Sequence, residues 1–253
     1  MTAHERLASV VALITIGLGV SLVIRPPLVW GFVALLICTA GIGTNQVVRG
    51  QTLGERADVG IAVYVLPSLI VLGGFLFLRL PSFSHGIAVT GGLVVTGLML
   101  ATALYSESIT DNLMTRRARQ ARLFLNLIAY VIAFALFSAI FAPKVRSILS
   151  ATAVLVASAL ISAELLRGAG RRDSHPLYVG IIALSMAQVT WALNYWVLGA
   201  LTGGAILLLV FYTITNVIRS YLNGTLAPSI LGEHLAVAGI GMLAVVVGGL
   251  WLR

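Results

Sequence analysis

The sequence predicts an all-α fold: a polytopic transmembrane helix bundle of about nine spans, and at least seven, with its N-terminus in the cytoplasm. Of the 253 residues, 59% are hydrophobic and only 9% are charged, whereas soluble domains carry roughly 25% charged residues. The mean hydropathy is +1.05. The apolar residues form runs of about 20, the length that crosses a hydrocarbon core of roughly 30 Å. These observations exclude a soluble globular enzyme and a disordered chain.

Nine apolar stretches qualify as spans. The sequence predicts them at about 7–24, 27–43, 59–79, 86–105, 122–141, 147–166, 177–195, 198–218 and 231–252. The first two are short and nearly adjacent, so they form either a tight transmembrane hairpin or a re-entrant pair. Omitting both leaves seven spans and keeps every later loop on the same side. We expect a single integral membrane domain over 1–253, with a short helical hairpin at 1–43 and the main bundle at 59–253.

Lysine and arginine residues divide unevenly between the two sides of this topology. Eleven lie at the N-terminus and in the loops after spans 2, 4, 6 and 8: Arg6, Arg49, Arg56, Arg116, Arg117, Arg119, Arg122, Arg167, Arg171, Arg172 and Arg219. The opposite side holds five: Arg25, Arg79, Lys144, Arg146 and Arg253. Because basic residues accumulate in cytoplasmic loops, this bias places the N-terminus inside and the C-terminus outside. The net charge of +8 therefore reflects topology rather than nucleic-acid binding.

The tryptophans give an independent indication of orientation, because Trp prefers the membrane–water interface. All four fall near the predicted outer boundary: Trp30, Trp191, Trp196 and Trp251. The single cysteine, Cys38, lies in an apolar run and excludes an internal disulfide.

Small residues predict close helix packing in the C-terminal half. Span 6 carries them four residues apart in three pairs: Ala153 with Ala157, Ser158 with Ser162, and Ala159 with Ala163. Gly199 and Gly203 form a GxxxG pair at the start of span 8. We expect span 6 to be central.

A first candidate binding site lies at the cytoplasmic ends of spans 6, 8 and 9. Span 8 places four polar residues on one helical face, spans 6 and 9 contribute two each, and together they are Tyr212, Thr215, Asn216, Arg219, Glu164, Arg167, Glu233 and His234. We expect a single cluster that binds a headgroup or a small anionic solute, with Arg167 and Arg219 as anchors. The structural alternative is that Glu164 pairs with Arg167, Glu233 stabilises a first helical turn, and Arg219 extends to the interface.

A second candidate site lies in span 7, where Gln188, Trp191 and Tyr195 share a helical face. Counted from the start of the predicted span, Gln188 lies about 16 Å deep, near the midplane. An amide at this depth needs a hydrogen-bond partner. Either Gln188 bonds to a neighbouring helix, or it forms the floor of an outward-facing aromatic cavity.

A third pattern is the basic cluster Arg116, Arg117, Arg119 and Arg122. Four arginines beside a span predict an orientation signal that also binds anionic lipid headgroups. Glu107 and Asp111 precede it four residues apart, a spacing that suits a Mg²⁺–diphosphate site, but no second acidic motif accompanies them. The sequence holds no recognisable catalytic, metal or cofactor motif, so we expect none of these groups.

The segments Ser162–Arg167, Trp191–Trp196 and Phe211–Tyr212 resemble a family of uncharacterised multi-pass bacterial membrane proteins. The resemblance covers mainly the C-terminal half. It implies a prokaryotic inner membrane and transfers no functional residue.

Three functions fit the sequence. A non-catalytic membrane subunit or lipid-binding scaffold needs packing residues, anchors and a polar rim, and it is the function that the sequence favours. Its partners are then membrane lipids and other membrane subunits. A small-solute facilitator or transporter needs a polar path, for which Gln188 is the candidate. A lipid-modifying enzyme needs a catalytic group near the headgroups, for which Glu233 and His234 are the candidates.

Overall fold

The computed structural model describes residues 3–24, 28–49, 62–81, 86–109, 116–143, 147–167, 175–225 and 228–251. Within these ranges the chain forms nine α-helices and no strand, which confirms the all-α prediction. The helices are α1 (Ala3–Val23), α2 (Leu28–Arg49), α3 (Ala62–Leu78), α4 (Gly86–Ile109), α5 (Arg116–Phe141), α6 (Ser147–Leu165), α7 (His175–Leu193), α8 (Ala200–Leu222) and α9 (Pro228–Trp251). Each overlaps one predicted span.

Five helices contain an apolar segment long enough to cross a membrane. These segments are Gly86–Ser106, Gln120–Phe141, Ser147–Leu165, His175–Leu193 and Ala200–Leu222. Four shorter apolar segments occupy the other helices: Leu7–Val23, Leu28–Gly43, Tyr64–Leu78 and Leu235–Val245. The helices thus include several of membrane-spanning length, and the count of nine spans stays a prediction.

The chain divides into two compact units, residues 1–132 and 133–253. In the first unit, α2 packs against α1 and α3, and α4 packs against α3 and α1. Neighbouring helices run in opposite directions: Trp30 at the start of α2 meets Phe75 near the end of α3, with ring centroids 5.9 Å apart. Helices α1 and α2 also pack against each other, and both contact α3 and α4. The prediction of a transmembrane hairpin at 1–43 stays a prediction. The prediction of a single integral domain stays untested.

Arg79 joins the ends of two helices in the first unit. Its Nη2 donates a hydrogen bond to the carbonyl oxygen of Ile24 at 3.0 Å, just beyond the end of α1. Its guanidinium carbon lies 4.9 Å from the centre of the Phe75 ring. The last carbonyl oxygens of a helix have no hydrogen-bond donor within that helix. Arg79 supplies such a donor at the C-terminal end of α1.

In the second unit, α6 and α7 form the most extensive helix pair, and α8 packs against α7 and α9. Helix α6 buries one face, made mostly of small residues: Ser150, Ala151, Val154, Ala157, Ser158, Ile161, Ser162 and Leu165. Ala153 and Ala163 are exposed. Of the three predicted pairs, Ser158 with Ser162 therefore lies wholly within the buried face.

Two adjacent glycines bring α8 close to α5. A Cβ on Gly204 would lie 2.7 Å from the Cα of Ser138, and one on Gly203 would collide with the ring of Phe141. Gly199, by contrast, is the N-cap residue just before α8, and a Cβ on it would meet only Oγ1 of Thr202, at 3.9 Å. The close approach thus uses Gly203 with Gly204 rather than the expected GxxxG pair, because the helix begins one residue after Gly199.

Among the α9 glycines that the structure describes, Gly241 is the one that lies close to α8. A Cβ on Gly241 would lie 2.6 Å from Cδ2 of Leu209, whereas Gly239 and Gly248 face open space. Most described residues of α9 are exposed, as expected for a helix whose apolar surface faces lipid.

Candidate functional site

Contacts within the second unit show that its helices alternate in direction. Asn194, just after α7, meets Ser150 near the start of α6. Tyr178 near the start of α7 meets Tyr221 near the end of α8, with ring centroids 6.1 Å apart. The unit therefore has two ends that differ in chemistry. We call them the charged end, with Glu164, Arg167, Arg219 and Glu233, and the aromatic end, with Trp191, Tyr195 and Trp196.

At the charged end, Glu164 and Arg167 form an ion pair. Arg167 Nη1 lies 3.3 Å from Glu164 Oε1, and the two residues lie one turn apart at the end of α6. The Glu164 side chain is 9% exposed and that of Arg167 is 43% exposed. The second carboxylate oxygen, Oε2, is buried and has no hydrogen-bond partner among the described residues. The arginine thus compensates a carboxylate that is otherwise withdrawn from water.

Helix α8 presents the predicted polar face. Thr215 is fully buried, and its hydroxyl has no hydrogen-bond partner among the described residues. Tyr212 and Asn216 are half-buried, and the Asn216 amide donates to the Tyr212 carbonyl oxygen at 2.8 Å. Arg219 follows in the last turn and is also half-buried. The four residues share one face, as their spacing predicts.

The described residues of this prediction lie at one end of the unit, where Glu164 and Arg167 pair with each other at the end of α6. In the described part of the chain, the one ion pair is that of Glu164 with Arg167. Glu233 is exposed on the first turns of α9, and the side chain of His234 lies outside the described residues. A single cluster of these residues between α6, α8 and α9 stays a prediction.

The second predicted site lies on the exposed face of α7 and in the turn that follows this helix. Gln188, Trp191 and Tyr195 are all exposed. The Trp191 indole donates to the Tyr195 hydroxyl at 3.4 Å, so these two aromatic residues form a pair on the surface. Gln188 makes no hydrogen bond with any described residue. Of the two sequence interpretations, a bond from Gln188 to a neighbouring helix is not formed among the described residues.

The third pattern falls largely outside the described side chains. This applies to Glu107, Asp111, Arg116, Arg117 and Arg119. Arg122 is described and is half-buried near the start of α5. The prediction that this basic cluster binds anionic headgroups stays untested.

Sequence reasoning did not identify the Asn194–Ser150 bond. Asn194 Nδ2 donates to Ser150 Oγ at 2.6 Å, across the α6–α7 pair. Each residue alone is a recognisable polar group near the end of a predicted span. Asn194 lies between two tryptophans, and Ser150 lies within a run of small residues. Nothing in either pattern indicated that the two residues meet.

Apolar helices of spanning length, a charged end and an aromatic end are the features of an α-helical membrane protein. The chain belongs to the family described as protein of unknown function, DUF5656, whose profile matches residues 8–248. This confirms the expected membership of an uncharacterised family, and it extends the match over nearly the whole chain rather than its C-terminal half. Neither the curated proteins nor the solved structures gave a significant match.

Proposed function

We propose that this protein is a multi-pass scaffold of a prokaryotic plasma membrane, non-catalytic, which binds an anionic lipid headgroup at its charged end through Arg219. The charged end faces the cytoplasm in this proposal, and the aromatic end faces outward. The bias of eleven basic residues against five supports this direction. The resemblance to bacterial membrane proteins supports the prokaryotic setting.

The observation that carries the proposal is the difference between two arginines at the charged end. Arg167 has a carboxylate partner in Glu164. Arg219 is half-buried in the last turn of α8, and no described carboxylate lies within ion-pair distance. A guanidinium at the edge of a bilayer presents a planar array of donors that matches a phosphate. A lipid phosphate therefore supplies the counter-charge that the described protein does not.

The scaffold interpretation is supported by the way polar groups are used inside the second unit. Asn194 bonds to Ser150 across two helices. The buried hydroxyls of Ser158 and Thr190 donate to carbonyl oxygens of their own helices at 2.7 Å. These groups stabilise packing, which is what a membrane scaffold requires.

The test is lipid retention by the purified protein. Wild type, Arg219→Gln and the matched control Arg167→Gln are extracted from nanodiscs of phosphatidylcholine with or without phosphatidylglycerol, and bound lipid is counted by native mass spectrometry. We expect Arg219→Gln to bind phosphatidylglycerol about fivefold more weakly, the effect of one basic residue at a membrane surface. Arg167→Gln retains most of the binding, because its charge is already paired.

Equal phosphatidylglycerol retention by wild type and Arg219→Gln contradicts the proposal. A loss of the same size in both arginine variants also contradicts it, since binding then depends on general basic charge rather than on Arg219.

A further inference from the structure

One face of α7 is buried against its neighbours, and the opposite face is open. The buried residues are Ile182, Ala183, Met186, Thr190 and Leu193. The open face, named here the α7 face, consists of exposed residues at helical spacing: Leu177, Gly180, Leu184, Gln188 and Trp191 on the helix, and Tyr195 in the turn that follows it. A Cβ on Gly180 meets nothing within 4 Å. The α7 face thus offers room for another helix at Gly180.

The amide of Gln188 is the chemically unusual feature of this face. At 1.5 Å per residue, it lies about 20 Å from His175 and about 8 Å from Leu193, below the aromatic end rather than at the midplane. Side chains on a helix tilt toward its N-terminus. Because Gln188 lies in the C-terminal half of α7, this tilt is toward the centre of the membrane. The Gln188 amide is therefore directed away from the nearer interface, in a region where lipid offers it no hydrogen bond.

Other exposed polar side chains of the structure satisfy their hydrogen-bonding groups within their own helix. Thr90 on α4, Thr102 on α4 and Thr152 on α6 each donate to a carbonyl four residues earlier at 2.8 to 2.9 Å. Gln188 makes no such bond among the described residues. Because an unsatisfied amide in lipid is costly, a partner from outside the described helices accounts for its position.

We infer that the α7 face is a dimer interface, and that its occupant is the α7 face of a second copy of this chain. All copies insert into the membrane in one orientation, so two α7 helices meet in parallel and place identical residues at the same depth. A carboxamide carries both donors and an acceptor, so the two Gln188 side chains satisfy each other across a two-fold axis. Another membrane protein needs a matching polar group at this depth, whereas a second copy has one by construction.

The inference rests on the proposed membrane placement of α7 and not on headgroup binding by Arg219. The first test is cysteine cross-linking in native membranes. Cys38 is the one cysteine of the sequence, so Cys38→Ala gives a cysteine-free background. In that background, Leu177→Cys and Leu184→Cys report on the α7 face and leave Gln188 in place. Met186→Cys is the matched control, because Met186 is fully buried on the same helix. Oxidant is added, and disulfide-linked dimers are separated by size.

We expect a dimer for Leu177→Cys and Leu184→Cys and none for Met186→Cys. The inference is overturned when all three remain monomeric, or when exposed positions on another helix, such as Val156→Cys on α6, cross-link as well as the α7 positions. The second outcome indicates random collision.

A second measurement needs no cysteine. The dimer fraction is followed by energy transfer between labelled copies in vesicles of phosphatidylcholine and phosphatidylglycerol. Gln188→Leu should weaken dimerisation about 3- to 30-fold, the range expected for a hydrogen bond between membrane helices. Gln188→Asn retains part of the effect because it keeps the amide, and Thr152→Val on α6 has none.

Unchanged dimerisation in Gln188→Leu overturns the inference. The outcomes for the two proposals are separable. If Gln188→Leu abolishes the dimer, phosphatidylglycerol retention through Arg219 should stay intact. If Arg219→Gln does not change lipid retention, the cross-linking pattern of the α7 face should still be seen.

Discussion

The side-chain amide of Asn194 donates a hydrogen bond to the hydroxyl of Ser150 at 2.6 Å, joining the end of α7 to the start of α6. This contact links the two most extensively packed helices of the second unit at the aromatic end. Ser150 is buried, so the bond forms where water competes poorly.

Removing this bond should destabilise the second unit. We expect Asn194→Leu to lower the free energy of unfolding by about 0.6–2 kcal/mol, the range for hydrogen bonds between membrane helices. Unfolding by denaturing detergent measures the change. A double-mutant cycle with Ser150→Ala isolates the contact, and strictly additive effects of the two substitutions contradict a direct bond.

The close approach of α5 and α8 predicts a severe effect of a single methyl group. Gly204→Ala places a Cβ against the backbone of Ser138, which cannot move independently of α5. We expect a loss of about 1–3 kcal/mol, as for overpacked cores. The matched control is Gly91→Ala on α4, where a Cβ meets nothing within 4 Å. Equal thermal stability of both variants contradicts the account of this contact.

Arg79 should stabilise the first unit through geometry as well as charge. Arg79→Lys keeps the charge but cannot both bond to the Ile24 carbonyl and stack on Phe75 as a planar group does. We expect Arg79→Lys to lose about 0.5–1.5 kcal/mol, the net value of a typical hydrogen bond. Arg79→Gln should lose at least as much. Full stability of Arg79→Gln in thermal unfolding argues against any role for the contact.

The Glu164–Arg167 pair should respond unequally to loss of its two members. Arg167→Gln leaves a largely buried carboxylate without its cation, whereas Glu164→Gln leaves a half-exposed guanidinium that water solvates. We expect Arg167→Gln to be the more destabilising by about 1–2 kcal/mol, less than for a fully buried pair because Arg167 is partly exposed. Chemical unfolding of both variants in the same detergent decides it, and the reverse order contradicts the burial argument.

The features predicted correctly from the sequence are those fixed by local patterns. Helices α1 to α9 follow apolar runs, and Tyr212, Thr215, Asn216 and Arg219 share a face because helical geometry places residues three and four apart together. The Glu164–Arg167 pair, which the sequence offered as the structural alternative to a binding cluster, forms for the same reason, since the two residues lie one turn apart at the end of one helix.

Contacts between different helices could not be predicted from these local patterns. The sequence indicated Gly199 and Gly203 as a packing pair, yet helix α8 begins after Gly199 and the close approach uses Gly204. One residue of shift at a helix start changes which glycines face a neighbour. The Asn194–Ser150 bond depends on how two helices are aligned, which periodicity does not specify.

The central claim is that the second unit spans the membrane with its charged end in the cytoplasm and its aromatic end outside. Single cysteines in the Cys38→Ala background test it most directly. Val197 lies at the aromatic end and Thr225 follows α8 at the charged end, and both are exposed. A membrane-impermeant maleimide applied to intact cells should label Val197→Cys at once, and Thr225→Cys only after permeabilisation. Labelling of both positions from the outside, or the reverse pattern, contradicts the account.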